Sequence, residues 1–338
     1  MPRNYYRTER QKRGLSELPI MIFVFSICLI CWGVGYFYSI GFPILVGEGR
    51  MALWNFIGKI FINKEIAYII GFLTLLTSGF AMQRISDTEM LARERTRLPF
   101  MLFMLLFSAN AFLLPVSEAT IIMICLAVYF FELFRSYQMP EATTSFFVAG
   151  LMLGIMSLFV PQMLFFLPLM WIGMYKLRVL EWKSFLASLV AVLMIYWIQL
   201  AWCVWINDFS LFTELWNDLI HIRFFALDTL LQYEKSAIWG VVILVIISLI
   251  YTRIYSFASS VHTRMMLSFL TDNIILSMVL IFLYSEKSVL FQATLFVPAS
   301  VLIARFLRNI RQWIMIPLFF VFCLVLLFSF MISIKWIF

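Results

Sequence analysis

Between Phe146 and Tyr175 the chain reads FFVAGLMLGIMSLFVPQMLFFLPLMWIGMY, without one charged residue, and Lys176 and Arg178 close the far end. Pro161 divides this stretch into two apolar runs, 146–160 and 163–175, joined by a tight Val-Pro-Gln turn. A Pro at that point ends one helix and permits another to start. The pattern is a membrane hairpin whose uncharged tip faces away from the cytoplasm. Its arms hold about 15 and 13 residues, roughly 20–22 Å of helix, against a hydrocarbon core of about 30 Å. Arms so short cross only where the bilayer thins or where the tip rests on other protein. The hairpin is therefore expected to be an inner element walled by longer spans.

Composition extends this reading to the whole chain. Of 338 residues, 64% are apolar and 13% charged, and the mean hydropathy is +0.98. A soluble domain could not hide that much apolar surface, so the expected fold is all-α, a polytopic transmembrane helix bundle in the lipid bilayer. The net charge of +7 is no nucleic-acid signal, because the basic residues sit in short connecting loops. The first apolar run starts at Pro19 and continues as an ordinary span without a small-residue cleavage site. Cys28, Cys31, Cys125, Cys203 and Cys323 lie inside apolar runs, where thiols act as small apolar fillers. The Cys-Leu-Ile-Cys spacing within the first span is read the same way.

Taken in order, residues 1–18 form a basic tail (Arg3, Arg7, Arg10, Lys12, Arg13) held in the cytoplasm by the positive-inside rule. Span one covers about 19–38. An outward loop, 39–65, follows, in which MALWNFIGKIF reads as an interfacial amphipathic helix. Span two is about 66–83. The loop RISDTEMLARERTR, 84–97, is cytoplasmic, and Ser86 or Asp87 is expected to cap a helix in it. Spans three and four, about 98–114 and 119–134, make a second short hairpin with the tip Pro-Val-Ser-Glu. The Phe146–Tyr175 hairpin supplies spans five and six, and the two hairpins in tandem suggest an internal duplication. Span seven ends near Ile206. An outward amphipathic segment, 207–236, separates it from the C-terminal helices of 237–338, with spans at about 237–250, 272–284, 289–304 and 313–334. The total is about eleven spans, N-terminus in and C-terminus out, with short paired hairpins and two outward interfacial helices.

Soluble-enzyme motifs are missing: there is no Gly-rich phosphate loop, no His-Glu-x-x-His and only two histidines, His221 and His262. Few ionisable residues fall within spans, which weighs against an ion-coupled transporter. Glu132 and Arg135 read as a pair snorkelling at the interface. Asn110, Gln199 and Gln292 read as hydrogen-bonding glue between helices, and His262 as a loop residue.

Chemistry is left to the two outward segments. Glu48 stands between two glycines, beside Arg50 and just before the first interfacial helix. A carboxylate there suits a general base, or a ligand for a divalent cation that also holds a phosphate. The plain alternative is a solvated loop acid neutralised by Arg50. In SLFTELWNDLIHIRFFALDTLLQYE, Glu214, Asn217, Asp218 and His221 share one helical face and Asp228 continues it. Such a face fits a cation or a polar head group, or it is simply the wet side of an amphipathic helix.

This layout resembles the GT-C membrane glycosyltransferases, which take a sugar from a polyprenyl-phosphate carrier. The similarity runs over 19–200: the first span, the outward loop with Glu48 and MALWNFIGKIF, the short paired hairpins, and AGLMLGIMSLFVPQMLFFLPLMWIGM with its Gly-x-x-x-Gly and two prolines. The whole chain also resembles bacterial multi-pass membrane proteins without an assigned function. The resemblance implies a GT-C-like module over 19–206 in a bacterial inner (cytoplasmic) membrane, with a polyprenyl-phosphate lipid as partner. It makes Glu48 the catalytic residue, with Arg50, Glu214, Asp218 and His221 binding substrate and a divalent cation as the candidate cofactor. Glu48 has no acidic neighbour, so two other readings stay open: a non-catalytic subunit or scaffold of a cell-envelope complex with a membrane-protein partner, and a lipid or small-molecule transporter.

Overall fold

The computed structural model describes residues 2–38, 63–139, 142–209, 213, 219, 233–255, 260–284, 287–310 and 312–335. They form eleven α-helices and no β-strand. In chain order these are α1 (Pro2–Tyr38), α2 (Lys64–Thr88), α3 (Leu98–Ser108), α4 (Glu118–Arg135), α5 (Thr143–Phe159), α6 (Phe166–Lys176), α7 (Trp182–Ile206), α8 (Tyr233–Tyr255), α9 (Val261–Leu283), α10 (Ser288–Asn309) and α11 (Gln312–Lys335). Five helical segments are long and apolar enough to cross a membrane: Leu18–Phe37, Glu65–Thr88, Trp182–Ile206, Val261–Leu283 and Ser288–Asn309. The protein is thus an all-α, multi-pass helical assembly suited to a bilayer. The expected interfacial helix at MALWNFIGKIF lies outside the described residues.

Burial decides which helices are inside. All eleven residues of α3 are buried, as are most of α10. These two pack against each other, Phe107 meeting Phe296 edge-on at 5.6 Å, and the other helices wall them. Along α7, by contrast, Trp197 and Trp205 are 73% and 84% exposed, a surface suited to lipid rather than water. Buried hydroxyls inside the bundle answer to their own helices. Ser157 donates to Gly154 O at 2.7 Å, Thr271 to Leu267 O at 2.6 Å and Ser300 to Val297 O at 2.8 Å. Such back-bonds satisfy a polar group where no water is at hand.

The Phe146–Tyr175 hairpin becomes α5, a 3₁₀ turn over Pro161–Phe165, and α6. Its tip is packed on protein as the short arms require, with Val160, Gln162 and Met163 all buried. The hairpin as a whole, however, is not the inner element. Ile172 and Tyr175 of α6 are 49% and 73% exposed; the fully enclosed short helix is α3, of the other hairpin. The Gly-x-x-x-Gly of α5 serves close packing against α7. A Cβ on Gly150 would lie 2.7 Å from Ser188 O and 3.0 Å from Ala191 Cβ, and one on Gly154 would lie 2.9 Å from Ile195. Small residues let two helices approach to this distance, and Tyr196 Oη then reaches Ser157 Oγ at 3.0 Å.

Two sequence expectations need correction. Ser86 and Asp87 do not cap a following helix, because α2 continues through both to Thr88. The ninth span was expected from Asp272, but α9 begins at Val261, which puts Asp272 in mid-helix.

Gly150→Ala is expected to force α5 and α7 apart and to cost about 1–3 kcal/mol. Gly33→Ala, with nothing within 4 Å of the added methyl, is expected to be neutral or to gain up to about 1 kcal/mol from helix propensity. Denaturant unfolding in detergent, followed by circular dichroism, measures both.

Candidate functional site

The helices alternate in direction, so the bundle has two ends, and side-chain contacts sort the connections between them. One end gathers the basic loops. Arg305, 3% exposed near the end of α10, donates to Leu91 O at 2.7 Å. Arg308 pairs with Glu94 at 2.6 Å, and Arg93 donates to Asn309 Oδ1 at 3.0 Å. Arg93 itself sits at φ 74°, a left-handed turn that turns the loop back toward α10. Asp87 Oδ1 accepts from Thr96 N at 3.2 Å, closing the loop on the last turn of α2. His262, expected to be a plain loop residue, opens α9 and lies 3.2 Å from Glu89 and 4.2 Å, ring to ring, from Tyr137. Burial pushes the Glu89 carboxyl above its ordinary range.

Lys176, the last residue of α6, meets Asp272 in a short contact, and also donates to Ser268 Oγ at 2.9 Å. Arg253 of α8 approaches the other Asp272 oxygen at 3.6 Å. One carboxylate thus joins α6, α8 and α9. Nothing local in the sequence announces this cluster: its members are separated by tens of residues, and the polar run around Asp272 reads as a loop edge. Glu132 and Arg135, in contrast, stand 4.0 Å apart with the arginine largely exposed, in keeping with an interfacial pair.

At the opposite end the side-chain hydrogen bonds among the described residues are mostly between neutral polar groups. Asn110, just past α3, donates through Nδ2 to Gln292 Oε1 on α10 at 2.8 Å. Gln292 is buried, and its own Nε2 has no hydrogen-bond partner among the described residues. Burial pushes the carboxyl of Glu118, the first residue of α4, above its ordinary range, and the positive charge of Lys287 partly offsets this. Tyr68 Oη reaches Gly35 O at 3.2 Å, bringing the end of α1 to the start of α2. Tyr284 Oη donates to Leu219 O at 2.9 Å, so the second outward segment touches this end where α9 passes into α10. The remaining expected glue residue, Gln199, is buried, and its Oε1 has no hydrogen-bond partner among the described residues.

The residues singled out for chemistry in the sequence, Glu48, Arg50, Glu214, Asp218 and His221, lie outside the described residues. What is described is where their segments attach. Segment 39–62 is flanked by the end of α1 and the start of α2, which meet at the Asn110 end. Segment 210–232 is flanked by α7 and α8. Helix α7 runs parallel to α5, as the pairs Gly150–Ser188 and Gly154–Ile195 require, so it finishes beside the hairpin tip. Asn207 closes it in a left-handed cap at φ 58°, with Asp208 N donating to Cys203 O at 3.2 Å. Both segments therefore spring from the same end.

No family model, no curated protein and no solved structure matches the chain.

Among the described residues no group of three or more His, Cys, Asp or Glu side chains is placed to hold a metal ion. The five cysteines are free and buried, as apolar fillers would be.

A double-mutant cycle on Asn110→Ala and Gln292→Ala is expected to return a coupling of about 0.6 kcal/mol, with about 1.7 as the upper bound seen for such bonds in membranes. Unfolding free energies of the four proteins in one detergent provide the measurement, and additive losses would show that the pair does not act as a unit.

Proposed function

We propose that this protein acts on a lipid-linked phosphate, a polyprenyl-phosphate sugar or a related carrier, at the end of the bundle opposite the arginine loops. By the positive-inside rule that end faces outward, across a bacterial inner membrane. The observation that supports the reading is topological: both acid-bearing segments start and finish at one end of the bundle. The same end carries the Asn110–Gln292 pair and Glu118 beside Lys287. A carrier lipid keeps its chain in the bilayer and presents its phosphate at the interface, which is where segments tethered in this way can reach it.

In the proposed reaction Glu48 accepts the proton of the acceptor hydroxyl as that oxygen bonds to the anomeric carbon. The bond from this carbon to the phosphate oxygen breaks, and the electron pair leaves with the phosphate. Arg50 offers charge to the departing phosphate. Glu214, Asp218 and His221 position the acceptor, or a divalent cation that neutralises the phosphate.

Glu48→Gln is expected to lower sugar transfer from a polyprenyl-phosphate donor by roughly 10²–10⁴-fold, with donor binding retained. Equal transfer by wild type and variant removes Glu48 from the mechanism. A wild-type chain that transfers nothing but co-purifies with a stoichiometric membrane partner would replace this reading with that of a non-catalytic subunit.

A further inference from the structure

A crevice of about 1090 Å³ lies at the arginine end, between α1, α2 and the 84–97 loop. Its walls are apolar toward the middle of the bundle, where Ile22 and Phe25 of α1 face Leu76 and Phe80 of α2. Ile22 and Phe80 are more than half exposed, so the crevice opens sideways, toward the surrounding medium. At its polar mouth stand Arg84, Arg95 and Arg97. One carboxylate, Asp87, shares that lining, and its oxygens accept from Thr96 N at 3.2 Å and Gln83 Nε2 at 3.5 Å. Arg97 Nη1 also lies 3.4 Å from Met21 Sδ, which holds it over the apolar wall.

The other polar groups near the mouth serve the helices themselves. Thr88 Oγ1 donates to Arg84 O at 2.8 Å, and Ser26 Oγ donates to Ile22 O at 2.9 Å. The remaining charged residues of the loop are committed elsewhere, Glu89 to His262, Arg93 to Asn309 and Glu94 to Arg308. The loop thus divides its arginines: one ties it to α10, and three line the crevice.

We propose that this crevice binds one anionic phospholipid drawn from the leaflet on the arginine side. The arginines would hold the headgroup phosphate, and the acyl chain would lie along Ile22, Phe25 and Phe80. Charge complementarity selects the headgroup, since the described lining of the mouth carries three guanidinium groups and one carboxylate. The sideways opening and apolar wall select a lipid over a free phosphate. The volume is that of a whole ligand site, far more than a phosphate ion fills. The first helical turns of the Leu18–Phe37 apolar run and the last turns of α2 place the mouth at the level where lipid phosphates sit. The inference rests on the helices crossing a bilayer and is independent of the transferase reading.

Native mass spectrometry of the full chain in detergent, titrated with phosphatidylglycerol or phosphatidylcholine, tests it. The expected result is one phosphatidylglycerol retained in clear preference to phosphatidylcholine. Arg84→Gln with Arg95→Gln should weaken that retention roughly 25-fold, about fivefold for each arginine. Arg135→Gln, a basic residue of the same end away from the crevice, should leave it unchanged. Equal retention of the two lipids, or undiminished retention by the double variant, overturns the proposal. Displacement by millimolar inorganic phosphate as effectively as by added phosphatidylglycerol would also overturn it, by making the site one for free phosphate. If circular dichroism shows the double variant misfolded, Arg95→Gln alone, on an exposed loop position, carries the same test at about fivefold.

Discussion

The rest of the bundle depends on holding α10 inside it at both ends. A helix enclosed over most of its length has no water to answer its polar groups, so each must find a partner in protein. Near the start of α10, Gln292 takes the amide of Asn110. Near its end, Arg305 donates to the backbone carbonyl Leu91 O, while Arg308 and Asn309 tie down Glu94 and Arg93. Without that carbonyl the buried guanidinium would lose a hydrogen-bond acceptor, and the loop after α2 would lose one of its ties to α10. The 84–97 loop is therefore part of the packing of α10, although it lies outside the apolar layer. Because the loop is fixed there, the arginines it does not use for α10 are fixed as well, and the crevice between α1 and α2 inherits a basic rim.

Helix length sets a second condition. A short helix such as α3, eleven residues long, cannot face lipid along a full crossing without exposing its ends. It survives here because longer helices surround it on every side and the chain after it folds into a 3₁₀ turn against α2, where Val116 N donates to Ala67 O. Helix α6 is just as short but sits at the edge, and it meets the condition differently. Its last residue, Lys176, is neutralised by Asp272 partway along α9, so the basic end of a helix that stops early is not left alone in an apolar layer. Two hairpins that look alike in sequence thus have different places in the structure.

Those two hairpins show what a sequence can and cannot tell. Apolar runs separated by basic loops were legible at once, because hydrophobic length and charge are one-dimensional signals, and each expected span overlaps a helix. What depends on partners far along the chain was not legible. Asp272 looked like the polar edge of a span because Ser268, Thr271 and Asn273 surround it. In the fold, Thr271 and Asn273 bond back to the carbonyls of Leu267 and Phe269, and Asp272 meets Lys176, 96 residues earlier. Ser86 and Asp87 looked like a helix cap because their residue types favour one, but α2 runs through them and Asp87 instead receives the backbone of Thr96. The interhelical pairing of Asn110 with Gln292 was legible only as a tendency of each residue, not as a pair.

The segregation of the described contacts between the ends bears on where the proposed activity would be placed. At the arginine end, an ion pair, an arginine-to-amide bond and an arginine-to-carbonyl bond tie the 84–97 loop to α10. At the opposite end the described contacts are mostly neutral and fewer, and the two acid-bearing segments depart from there. An acid used in the proposed transfer chemistry has to sit where a phosphate can approach and leave, and both acid-bearing segments attach at the end opposite the arginine loops. A lipid held at the arginine end would therefore serve as a fixed structural neighbour, filling the gap between α1 and α2 that side chains leave open. The proposed substrate is placed at the other end, from which the acid-bearing segments depart.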